Sequence, residues 1–220
     1  IVGEQWGALY GNSYERDSQG RIVHIMQGGT PVPKIGGKKI LGFGVAPESI
    51  GIGSTFRYKD FNASILVEGK MGGSYYSGTN NWYKVYGLHK DTVPAGGREA
   101  GFTPDGVMED GTVITTSIPH SKIEDYWSQT LSIGEENIYS SDYMRLRQLS
   151  IGYNVPSSML EGSFISDANV SLIGRNLFLL SNSSENIDPE SSYSAGNAVG
   201  LERAGMPVPR TIGLNINLKF

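Results

Sequence analysis

The 220-residue chain holds 18 basic residues, 22 acidic residues and no cysteine. Disulfide frameworks, thiol nucleophiles and cysteine metal sites are thereby excluded, and a net charge of −4 lends nucleic-acid binding no support. Mean hydropathy is −0.25, and no apolar run approaches the roughly 20 residues that a spanning helix needs. A helical membrane protein is therefore excluded too, but a β-barrel escapes this test because its strands alternate.

The length suits one or two ordinary domains. The first residues, "IVGEQWGALYG", lack a basic n-region, an apolar h-region and an initiator Met. They read as the start of a mature product or of an internal piece. Next comes a weak hairpin signal, with "DSQG" at 17–20 turning between 8–15 and 21–27.

Residues 50–59 put Ile50, Ile52, Phe56 and Tyr58 on one face, and Thr55, Arg57 and Lys59 on the other. Residues 61–75 put Phe61, Ala63, Ile65, Val67 and Met71 against Asn62, Ser64, Glu68 and Lys70. Almost nothing separates the two runs, so they predict a tight antiparallel hairpin. A long link, 76–141, follows. Within it "SKIEDYWSQTLSI" reads as a short helix, with Ser121 and Glu124 as a capping box.

Residues 142–155 place Leu149, Ile151, Tyr153 and Val155 on one face. Arg145 and Arg147 share that parity, which predicts a bulge or a strand end outside the apolar layer. After a short link at 156–166, residues 167–180 set Ala168, Val170, Leu172, Phe178 and Leu180 against Asn169, Ser171 and Arg175. A second long link, 181–209, leads to 210–220. There Ile212, Leu214, Ile216, Leu218 and Phe220 alternate with Thr211, Gly213, Asn215, Asn217 and Lys219.

Short and long connections thus alternate. Compact soluble domains rarely carry irregular links beyond about 15 residues, whereas outer-membrane barrels pair short periplasmic turns with long extracellular loops. In a barrel, Phe61, Ile65, Val67, Leu172, Ile212, Leu214, Ile216 and Leu218 face lipid. Arg57, Asn62, Glu68, Lys70, Arg175 and Asn217 face the lumen, either tuning solute passage or forming a neutralising ion-pair ladder. Phe220 would belong to the barrel's assembly signal. The loop aromatics Trp82, Tyr83, Tyr126, Trp127 and Tyr193 could meet a partner or a substrate, or could pack the loops.

Catalytic spacing is missing. His24, His89 and His120 fall in separate predicted loops and read as surface residues, and neither a His-Glu-x-x-His run nor a Gly-x-Ser-x-Gly elbow occurs. Asp105, Glu109 and Asp110 lack the alternation of a calcium loop and read as a solvated turn. Asp188-Pro189-Glu190 reads as a turn. No enzyme, cofactor or metal is expected.

The blocks "STFRYKDFNASILVEGKMGGSYYS" at 54–77, "SDYMRLRQLSIGYNVPSSML" at 141–160, "ANVSLIGRNLFLL" at 168–180, "NIDPES" at 186–191 and "MPVPRTIGLNINLKF" at 206–220 together resemble the C-terminal part of SusC/RagA-type TonB-dependent transporters. These are outer-membrane proteins of Bacteroidetes. The resemblance implies an all-β fold: the last antiparallel strands of a transmembrane barrel, 22-stranded when complete, with long extracellular loops and a short helix. It divides the chain into an extracellular segment at 1–49 and barrel strands at 50–220, with loops at 76–141 and 181–209. The plug, the early strands and the TonB contact would lie in a part of the transporter not in this sequence. The implied function is import of oligosaccharides or peptides, with a SusD-like lipoprotein as lid and outer-membrane lipid around the wall. The competing reading is a soluble β-sandwich that binds glycans or belongs to a surface fibre.

Overall fold

A computed structural model describes residues 2–192 and 196–220. In chain order its elements are β1 (Ala8–Tyr14), β2 (Val23–Gln27), β3 (Thr30–Pro33), β4 (Ile35–Phe43), β5 (Glu48–Tyr58), β6 (Phe61–Met71), β7 (Ser74–Ser77), α1 (Gly78–Val85), β8 (Val107–Met108), α2 (Ile123–Thr130), β9 (Ile138–Ser140), β10 (Tyr143–Asn154), α3 (Ser157–Leu160), β11 (Asp167–Asn182), β12 (Leu201–Glu202) and β13 (Thr211–Lys219). Short 3-10 turns punctuate the long links.

The five period-two segments form one antiparallel sheet, ordered β13-β11-β10-β6-β5. Lys59 and Asp60 close the β5–β6 hairpin, with Lys59 at φ 52°. The expected strand 61–75 is in fact two: β6 ends at Met71, and the chain bends at Gly72 and Gly73 before β7 joins another sheet. Gly73 packs so closely on Ala46 and Ser141 that a Cβ there would lie 2.4 Å from Ser141 Oγ, which would have to turn away to admit a larger residue.

β10 carries a bulge. Leu146 pairs with Val67 and Gln148 with Leu66, which leaves Arg147 as an extra residue. The extra residue resets the parity. Arg145 falls opposite Glu68, on the polar face, and Met144 and Leu146 take the apolar side. Across from it β11 bends at Asn176, whose φ of 53° suits asparagine.

Apart from α3, which lies in the short link at the opposite end, the remaining elements build a body on one end of this sheet. β7 lies between β9 and β12, β2 between β3 and β8, and β1 beside β4. Tyr75, Val32, Val107, Ile118 and Ile133 are among its fully buried side chains. The turn at 17–20 forms, with Gly20 N–H on Asp17 O and a bridge from Arg16 to Ile22. The hairpin expected around it does not extend: β1 pairs with β4, and β2 with β3. The reason is local. Gly28 and Gly29, both at positive φ, make a two-residue turn that folds β2 onto β3, a geometry matched to strand twist.

The helix at 123–130 is present without the expected capping box, and Lys122 holds the N-cap position with no side-chain bond. A 3-10 turn at His120–Lys122 precedes it and uses the first amide groups, Ile123 N–H bonding His120 O. α1 was not foreseen. Ser77 caps it, its Oγ accepting from Asn80 N at 3.0 Å.

Candidate functional site

Register sorts the sheet into two faces. Opposed residues share a face, and partners run across the sheet as Leu218 with Ala168, Ile216 with Val170, Leu214 with Leu172, Leu172 with Ile151, Ile151 with Ala63, and Phe61 with Tyr58. Phe61, Ile65, Val67, Leu172, Ile212, Leu214, Ile216 and Leu218 therefore lie together on one face. No layer of described residues covers this face: Ile212, Leu214 and Ile216 are 68 %, 66 % and 56 % exposed. Asn217, Arg175, Lys70, Glu68, Asn62 and Arg57 lie on the other, through pairs such as Arg57 with Asn62 and Asn217 with Asn169.

On the polar face, at the end nearer the loops, the structure assembles a charge cluster. Arg145 Nη2 lies 2.7 Å from each carboxylate oxygen of Asp188. Its Nε is 3.1 Å from Glu190 Oε2, without hydrogen-bond alignment. Arg147 donates through Nε to Glu68 at 2.6 Å, and through Nη2 and Nη1 to the two oxygens of Glu190 at 2.8 and 3.1 Å. Tyr143 donates its hydroxyl to Glu190 at 3.0 Å. Asp188 also shapes its own turn, accepting from Glu190 N at 3.0 Å. The turn read from Asp188-Pro189-Glu190 is thus present, and it binds the 181–209 link to the sheet. Glu68 reaches Arg147 on the next strand, and Arg147 carries the charge pairing on to Glu190 in the loop.

The body over the sheet is held by buried polar groups. Lys84, 2 % exposed, pairs with Glu136, and its ammonium lies 5.6 Å from the centre of the Trp127 ring. Tyr14 donates its hydroxyl to Glu136, which ties the 1–49 segment to Lys84 of α1 through the shared carboxylate. Burial and the neighbouring Glu136 push that phenol well above the ordinary tyrosine range. Glu202, fully buried, accepts from Ser77 Oγ at 2.8 Å, Thr79 Oγ1 at 2.6 Å and Gly205 N at 3.1 Å.

His24 and His89 are fully buried, against the expectation of surface histidines. His89 Nδ1 accepts from Asp91 N at 3.2 Å, so the neutral ring carries its proton on Nε2, 3.4 Å from Glu185 Oε2. Burial holds the pKa of His89 below the usual imidazole value. His120 alone stays exposed.

Among the predicted loop aromatics, Trp82 and Tyr83 are exposed, and Trp82 stacks on Tyr86 at 5.7 Å. Trp127 is corrected to a core residue, and Tyr126 is half-buried beside it. With Phe102 they form a cluster whose centroids lie 4.9–6.3 Å apart. Their apolar area is spent on the loop's own packing. Tyr193 lies outside the described residues. Phe220 is exposed and stacks on Phe164 at 5.7 Å. Among the described residues no group of three or more His, Asp or Glu side chains is placed to hold a metal ion.

No family model matches the chain. The chain is 25 % identical over 190 residues to TonB-dependent receptor P3 of Formosa agariphila, covering 83 % of itself and 17 % of that protein. It is 27 % identical over 193 residues to TonB-dependent receptor P26 of the same organism, covering 82 % and 18 %. It therefore spans less than a fifth of the length of the curated relatives it matches. Among solved structures, 97 % of the chain superimposes on 22 % of a chain of the RagAB peptide importer in the open-open state, with a TM-score of 0.63 and 16 % identity. The closed-closed state gives 0.60 and 17 %, over 23 % of that chain. The fold is that of an outer-membrane β-barrel, and the five-stranded sheet is part of such a wall, with β5 and β13 as its open edges. The two receptors and the shared barrel fold bear out the resemblance to SusC/RagA-type TonB-dependent transporters. These relatives are receptors and transporters rather than enzymes.

Proposed function

We propose that this chain is the part of a TonB-dependent importer that supplies five adjoining strands of the barrel wall and two of its extracellular loops. The uncovered apolar face carries this reading. A soluble β-sandwich would cover that face with a second sheet, and among the described residues none lies over Ile212, Leu214 or Ile216. In the importer, Phe61, Ile65, Val67, Leu172, Ile212, Leu214, Ile216 and Leu218 face lipid. Arg57, Asn62, Glu68, Lys70, Arg175 and Asn217 face the lumen. Phe220, at the short-turn end, belongs to the assembly signal. The remainder of the transporter pairs with β5 and β13, since an open edge facing lipid is not viable.

The loop body stands outside the cell and seats a SusD-like lipoprotein, with Trp82 and Tyr83 as exposed contacts. The imported solutes are oligosaccharides or peptides. The test is uptake by cells with and without the full-length gene, each with TonB intact or deleted, on defined peptides and on defined oligosaccharides. Growth that needs both genes on either class supports the reading, and growth indifferent to the gene on every solute overturns it.

A further inference from the structure

A cleft of about 420 Å³ opens between the C-terminal end of α1 and the N-terminal end of α2. Its volume falls within the ~300–1,000 Å³ of small-ligand pockets. Trp127 and Lys84 form its buried floor, and the indole N–H of Trp127 is buried without an acceptor. Tyr86, Arg98, His120, Ser121 and Glu124 stand exposed on its rim.

The charged and polar rim groups keep hydrogen-bonding capacity to spare. Arg98 makes no ion pair or side-chain hydrogen bond among the described residues. Its guanidinium rests on bare backbone: Nη1 is 3.0 Å from where a Cβ on Gly87 would stand. His120 spends Nδ1 on Arg98 O at 2.8 Å, which leaves Nε2 for the cleft or solvent. Ser121 and Glu124 have the spacing of a capping box, yet the helix takes no side-chain cap. The Lys84 charge is already met by Glu136.

The cleft therefore offers more free donors than acceptors. The exposed Arg98 guanidinium, the Ser121 hydroxyl and, once the ring is protonated, His120 Nε2 stand against one carboxylate, Glu124. The planar guanidinium fork matches a carboxylate with two parallel bonds. The exposed Tyr86 ring offers flat surface to a ring or an apolar side chain. We propose that this cleft is a contact site for a carboxylate-bearing solute, with Arg98 meeting the carboxylate and Glu124 accepting from a neighbouring N–H or hydroxyl. Peptide ends and uronic acids share this chemistry. The inference rests on the import reading, which places the loops where a solute arrives.

The test is binding to the purified full-length protein in detergent, followed by calorimetry. The probes are trialanine against its C-terminal amide, and a glucuronate disaccharide against its glucose counterpart. Whichever pair binds, the acid form is expected to bind at least about tenfold more tightly, and Arg98→Ala to remove that preference while Arg98→Lys keeps part of it. Arg98 is exposed, and an unchanged melting temperature of R98A confirms folding. Equal affinity for acid and neutral forms in both pairs, an acid preference that survives in R98A, or no binding of any probe overturns the proposal. Acid-selective binding without TonB-dependent uptake would sink the import reading and leave the cleft standing. Uptake without acid selectivity would do the reverse.

Discussion

Arg145 and Asp188 are 43 residues apart in sequence and meet through both carboxylate oxygens at 2.7 Å, with side chains only 3 % and 8 % exposed. Removing one partner of a buried pair leaves the other charge uncompensated, at a cost of about 3–5 kcal/mol. Arg145→Ala is therefore expected to free the 183–192 segment from the sheet. Limited proteolysis of the full-length protein should show new cleavage there, and a digestion pattern identical to the parent would refute the assignment.

Leu214 tests the outer face. An arginine at mid-membrane on a lipid-facing position costs about 2–4 kcal/mol. Leu214→Arg should lower the refolding stability of the full-length protein in lipid vesicles by that amount. Asn215→Arg, one residue along on the polar face, should cost far less. Equal losses at the two positions would contradict the assignment of faces.

His89 gives the loop body a pH dependence. Its pKa is depressed in the fold, first by burial and then by Lys84 and Lys90, against the opposing pull of Asp91 and Glu185. The unfolded ring binds protons that the folded ring refuses. The stabilisation is complete above the ordinary value of 6.5 and declines as pH falls from there towards the lowered folded value. Burial lowers His24 in the same direction. Hydrogen exchange over residues 76–137 should quicken between pH 7.5 and pH 5.5, and His89→Gln should flatten the response. Exchange independent of pH, after correction for the intrinsic rate, would exclude this role.

Gly200 tests the seat of the 1–49 segment. It sits at φ +79°, and a Cβ there would lie 2.6 Å from Gly44 Cα. Gly200→Ala should cost at least about 1–2 kcal/mol from backbone handedness alone, and the collision should also part β12 from the chain around Gly44. A lowered melting temperature with faster proteolysis of residues 1–49 is the expected result. Unchanged melting would show that the contact is slack.

The wall was legible because its code is simple. A period of two, a short turn and a matching partner strand suffice to place Leu214 opposite Leu172 and Asn217 opposite Asn169. The loop body was not, because its interior is built from groups that sequence assigns to surfaces. Asn80, Lys84, His89 and Glu202 are all buried, and they break the apolar periodicity that would announce α1 or β12. The charge cluster was half visible. Arg145 and Arg147 betrayed an irregular strand, but their partner Glu190 is fixed only by the fold.

The bulge at Arg147 also bears on how such a wall can change over time. One added residue brings a second cation inward while Leu146, Leu149 and Ile151 keep their outward places. A one-residue bulge thus changes what the inner face carries and leaves the order of side chains on the outer face intact. The outer surface presents one uniform apolar layer and the inner one a set of paired charges, so the strand can be edited on one side without being rewritten on the other.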